Sequence, residues 1–150
     1  MLRIPAILGA FLLGAPAVAQ PNAYAVGQVW EYRTAPQDQG SLIRIQEIEP
    51  RGPDDEPVFH ISMINIHAAD GGLIPEIQHL PVSRETLDSS VTRLSDSDAG
   101  FPDYRAGLEQ WRQARGGVFT ITLAEIGDVI RQSIVEAQQR RQQEANLRRF

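Results

Sequence analysis

Over the first half of the chain, apolar and polar residues alternate with a period near two, the signature of half-buried strands. Val26 to Arg33 reads as a first strand, with Trp30 and Tyr32 on one face and Val29, Glu31 and Arg33 on the other. In Ser41 to Glu49, Ile43 and Ile45 share a face and Ile48 is out of phase, which predicts a bulge near Gln46 and Glu47. Pro57 to His67 (PVFHISMINIH) is the dominant apolar run. Phe59, Ile61 and Met63 lie on its core face; Val58, His60, Ser62, Ile64 and Ile66 lie on the other, to be partly covered. A strand wanted on both faces is expected at the centre of its sheet. Ala68 to Gly72 is a turn, and Leu73 to Leu80 should return antiparallel as an edge strand, because Pro75 lacks a ladder donor.

After Pro81 the period lengthens. Ser83 is a good N-cap, and Leu87, Val91 and Leu94 form one stripe of a helix ended by Ser95 to Gly100. A second helix is predicted from about Pro102 to Ala114, with Tyr104, Leu108 and Trp111 on one face and Gly116-Gly117 stopping it. Val118 to Ile121 reads as a short last strand. Thr122 and Glu125 form a capping box for a third helix with Leu123, Ile126, Ile130, Ile134 and Ala137 as its stripe. The expected fold is α+β: a mostly antiparallel sheet of four to five strands packed against two to three helices.

The first residues follow other rules. Arg3, the apolar stretch Ile4 to Leu13 and Ala17-Val18-Ala19 describe a secretory signal peptide cleaved after Ala19. The stretch falls short of the about 20 residues a membrane span needs. This gives a leader at 1–19, a single α+β domain at 20–137 and a polar, arginine-rich helix end or tail at 138–150, located in the periplasm or outside the cell. The chain has 150 residues, a net charge of −5 and no cysteine, so an exported domain would be held without disulfides. All 14 of its basic residues are arginine. The acidic balance argues against nucleic-acid binding.

Gly27-Gln28-Val29-Trp30-Glu31-Tyr32, Val58-Phe59-His60-Ile61-Ser62, Leu80-Pro81-Val82-Ser83 and Gly117-Val118-Phe119-Thr120-Ile121 resemble a family of small exported bacterial proteins with no established activity. The resemblance spans most of the chain beyond the leader and implies no functional residue.

Candidate chemistry centres on the histidines. His60 and His67 are an odd number apart, so a regular strand puts them on opposite faces, roughly 23 Å apart. His60 and His79 are the better pair. A two-residue Asp70-Gly71 turn sets Ser62 opposite His79 and His60 diagonal to it; a five-residue loop sets His79 opposite Ile61 and breaks the pair. Glu76 is a candidate acid beside them. Ser62 shares a face with His60, but Ile61-Ser62-Met63 is no nucleophile elbow. Asp96, Asp98 and Gly100 miss the spacing of a calcium loop. Arg140, Arg141, Arg148 and Arg149 form a local cationic patch suited to anionic lipid, polysaccharide or an acidic partner, or to the helix dipole. Trp30, Tyr32, Tyr104 and Trp111 read as core rather than as a pocket.

These readings converge on an exported, non-catalytic binding domain for a protein or small-molecule ligand, with no cofactor or metal and no membrane span once the leader is removed. The expected binding residues are His60, Ser62, His79, Arg140 and Arg141. The alternatives are a hydrolase using His60 and His79 with Glu76, and an inhibitor or immunity-type partner of another exported protein.

Overall fold

The computed structural model describes residues 23–148. The expected leader, its cleavage site and the last two residues lie outside them. The elements in chain order are β1 (Val29–Tyr32), a 3-10 turn (Pro36–Asp38), β2 (Leu42–Glu49), β3 (Val58–Ile64), β4 (Ile77–Val82), α1 (Arg84–Ser90), β5 (Val91–Ser95), α2 (Arg105–Ala114) and α3 (Leu123–Leu147). The fold is α+β, a single five-stranded sheet in the order β4-β3-β2-β1-β5 with every neighbouring pair antiparallel.

One face of the sheet carries the main core. Trp30, Tyr32, Ile43, Ile45, Phe59, Ile61, Met63, Leu80 and Val82 meet Leu87 of α1 and Leu123 and Ile126 of α3. The bulge in β2 falls between Ile45 and Glu47, where the phase break in the sequence put it. It returns Ile48 to the core side and leaves Glu47 and Glu49 on the other. Ser83 caps α1 by accepting from the Thr86 amide, and Thr122 and Glu125 cap α3 reciprocally. A buried ion pair ties α3 to the 3-10 turn: Arg131 Nη1 donates to Asp38 Oδ2 at 2.6 Å, and Asp38 also accepts the His67 amide.

The second face is covered by α2, and this explains why all seven residues of β3 are buried. Gly107 makes the close approach possible. A Cβ built there lies 2.6 Å from the Cβ of His79, well inside contact distance. Leu108 and Val58 are both buried on this side.

Several expectations need correction. The helix after Ser83 ends at Ser90, and Val91–Ser95 is a strand pairing with β1. The Leu87–Val91–Leu94 spacing suits a helix, but Val91 turns extended (φ −67, ψ 148) and Leu94 is 52% exposed. Edge pairing with β1 has overridden the local pattern. Val118 to Ile121 forms only one parallel bridge, Val82 to Phe119. The fourth strand starts at Ile77 rather than Leu73, and the proline it contains is Pro81. The Pro81 carbonyl accepts from the Phe119 amide, so its missing N–H also faces the outer edge, where it costs no ladder bond. The middle strand of the sheet is β2; β3 is second from the edge. The polar tail continues α3, helical and exposed, to Leu147.

Candidate functional site: a histidine pair beneath Trp111

His60 and His79 meet on the α2 side of the sheet. The hairpin between β3 and β4 turns in the register that would separate them, since His67 pairs with Leu73 and Met63 with Ile77. A second irregularity lies between Ile61 and Met63. There Gln78 and His79 together oppose Ser62, after which Ile61 pairs with Leu80. The extra residue shifts β4 by one and returns His79 to the His60 side. Ser62 supports the bulge by donating to the Gln78 carbonyl at 2.7 Å while accepting from Gln46 at 3.0 Å. Its hydroxyl is wholly buried and fully used, which removes it as a nucleophile.

The two rings stack with centroids 5.1 Å apart, and His60 Nδ1 lies 2.9 Å from His79 Nε2. His60 is completely buried. Its Nε2 has no hydrogen-bond partner and points toward Glu49, whose Oε2 is 3.7 Å away. That carboxylate favours the tautomer with the proton on His60 Nε2, and then His79 Nε2–H donates to His60 Nδ1. Burial holds His60 below its ordinary pKa, against the opposing pull of Glu49 and Glu47. Burial, then the neighbouring His60 and Arg112, push His79 down to about 4. Both rings are therefore neutral at pH 7.

The acids beside the pair are Glu47 and Glu49 rather than Glu76. Glu76 is exposed and lines a separate groove with Leu73 and Gly100. Arg112 holds both nearer acids, with Nη2 at 2.6 Å from Glu47 and 2.7 Å from Glu49. Tyr104 O–H points at Glu47 from 3.4 Å. The helix α2 and its N-cap residue Tyr104 thus supply the cation, the covering indole and the phenol.

Trp111 closes the site. Its ring meets His60 edge-on at 4.8 Å, its Nε1 donates to the Gly117 carbonyl at 2.8 Å, and Gly116 lies flat against it. A Cβ on Gly116 would sit 2.2 Å from the indole. The indole stays partly exposed and forms a wall of two concavities. One, of about 390 Å³, is an apolar groove with Pro81, Val118 and Phe119. The other, of about 270 Å³, is lined by Glu49, Arg51, Arg112, Arg115 and Gly116. Trp30 and Tyr32 are core residues as expected, whereas Trp111 and Tyr104 are only partly buried.

Arg140 and Arg141 lie on the exposed half of α3, remote in the chain from these elements. Arg140 is 3.9 Å from Glu136 and Arg141 Nε donates to the Ala137 carbonyl. Among the described residues no cluster of three or more histidine, aspartate or glutamate side chains is placed to hold a metal ion. Sequence reasoning overlooked Glu47, Glu49 and Arg112, whose pairing joins residues 63 to 65 positions apart. The one available signal was the β2 phase break, which sends both glutamates to the polar face. No family model, curated protein or solved structure matches the chain.

Proposed function

We propose that the chain is an exported, non-catalytic binding domain whose ligand surface is the rim around Trp111. The observation that carries this reading is the contrast across a single indole. Beneath it, His60 and His79 are packed and bonded to each other, and buried Ser62 is bonded to Gln78 and Gln46. Beside it, two open concavities share its ring as a wall. The groups with reactive chemistry are turned inward to hold α2 on the sheet, while a rigidly fixed aromatic faces solvent. Fixed aromatics of this kind supply contact area with little entropy left to lose. Export rests on the leader pattern at residues 1–19.

The test is a small-molecule screen by backbone-amide NMR on the full domain. Ligand-induced shifts concentrated on Trp111, Val118 and Phe119 support the reading. Shifts confined to the Arg140 and Arg141 end of α3 would move the binding surface there. Turnover of activated esters that disappears in His60→Gln and His79→Gln would restore the hydrolase alternative. Tight association with one exported protein, with no small molecule bound, would favour the inhibitor alternative.

A further inference from the structure

We propose that the concavity beside Trp111 binds a carboxylate, and that the full ligand is a small amphipathic acid whose apolar body lies in the adjoining groove. This deepens the proposed binding role and rests on it.

Three guanidinium groups and one carboxylate line this concavity, in a protein whose net charge is −5. Arg112 is committed to Glu47 and Glu49. Among the described residues, Arg51 and Arg115 make no side-chain hydrogen bond or ion pair. They come from different elements, Arg51 from the loop after β2 and Arg115 from the end of α2. The C-terminal half-charge of α2 gives an arginine there a structural use, but a half-charge does not account for Arg51 as well. Arg115 also occupies the left-handed region, at φ 48 and ψ 51, where glycine is the ordinary choice. An arginine there is strained relative to glycine, and among the described residues no hydrogen bond or ion pair of its side chain offsets that. Two free planar forks converging on one concavity match the two oxygens of a carboxylate.

The other half of the ligand is set by the second concavity that Trp111 lines. There Pro81, Val118 and Phe119 offer apolar surface and no charge. A ligand reaching both concavities needs an anionic head and an apolar tail. Together the two concavities fall within the size range of small-molecule sites.

Octanoate is a suitable probe and 1-octanol its neutral counterpart. Each would be titrated into the wild-type domain and into Arg51→Gln/Arg115→Gln, following the Trp111 indole N–H and backbone amides by NMR. Both arginines are exposed and unpartnered among the described residues, so the double variant should melt like the wild type. The expected result is saturable octanoate binding at Trp111, at least tenfold tighter than octanol and weakened at least tenfold by the double substitution. Equal binding of octanol and octanoate, unaffected by the substitutions, would overturn the carboxylate assignment while leaving Trp111 as a binding surface. Shifts from both probes that avoid Trp111 altogether would overturn the assignment and the surface together.

Discussion

Replacing Gly107 by alanine tests how α2 is held against the histidine pair. In an ordinary helix interior this substitution stabilises by about 1 kcal/mol. Here the new methyl would lie 2.6 Å from His79 Cβ and 3.2 Å from its Cγ. Unstrained carbons sit about 3.5–4.0 Å apart, so α2 must retreat by about 1 Å. A Cβ moves only with its backbone, so no rotamer change relieves the clash. Overpacking of this kind costs about 1–3 kcal/mol. Since the retreat also drags Trp111 off His60 and Arg112 off its two glutamates, we expect the upper end. The net loss should be about 1–2 kcal/mol, read by urea denaturation, with a melting temperature lower by about 5 °C. Exposed Ala106, one residue away, supplies the control: Ala106→Gly should lose about 1 kcal/mol through propensity alone and leave the Trp111 indole N–H unmoved. Adding His79→Ala to Gly107→Ala should give no relief, because the Cβ remains; adding His79→Gly should. A Gly107→Ala domain more stable than wild type would refute the packing described for this face.

Three further outcomes follow from the same structure. The folded pKa of His79 lies at about 4, below the ordinary value of 6.5, so the unfolded chain binds more protons between these values. Stability should therefore fall as the pH drops from 6.5 toward 4; the shift corresponds to about 3 kcal/mol at most, reduced to about 1–2 by solvent screening of the partly exposed ring. Denaturant midpoints across that range should show this loss, and His79→Gln should flatten it. Asp38→Ala leaves buried Arg131 only Asp128 and the His67 carbonyl, and should cost about 3 kcal/mol by urea denaturation, the low end for breaking a buried pair, with Asp38→Ala/Arg131→Met costing less than Asp38→Ala alone. Ending the chain after Ala137 removes, among the described residues, only the exposed end of α3 and the residue after it, and should change stability by less than about 0.5 kcal/mol in urea denaturation.

What was legible in the sequence was local. The caps at Ser83 and Thr122 join a side chain to an amide three residues on, so the residues involved are adjacent in the text. The β2 bulge showed itself because a period of two makes any slip visible at Ile48. The His60–His79 pairing was open to register reasoning, but the reasoning had two branches, and the molecule uses parts of both. The hairpin takes the separating register, and the Gln78–His79 bulge cancels it. Nothing near Gln78 announces that bulge; Ser62, sixteen residues earlier, accommodates it. The strand β5 was hidden because the spacing of Leu87, Val91 and Leu94 is also helical, and its partner β1 lies about sixty residues away. The same distance concealed the Arg112 clamp and the Asp38–Arg131 pair, 93 residues apart. Attraction between charges leaves no periodicity to read. Helical spacing places Trp111 on the buried face of α2; it sits on that face near the helix end, where cover runs out.

The state of the two imidazoles decides most directly between a structural joint and a reactive centre. Long-range proton–nitrogen NMR of the histidine rings, recorded from pH 7.5 to pH 4, reads both tautomer and protonation. The account predicts neutral rings for His60 and His79 at pH 7, a ring N–H protected from exchange in the hydrogen bond between them, titration of His60 below its ordinary range, and titration of His79 only near pH 4. Two rings that exchange freely and titrate together near pH 6.5 would contradict it, and would show the pair open to solvent and available for chemistry.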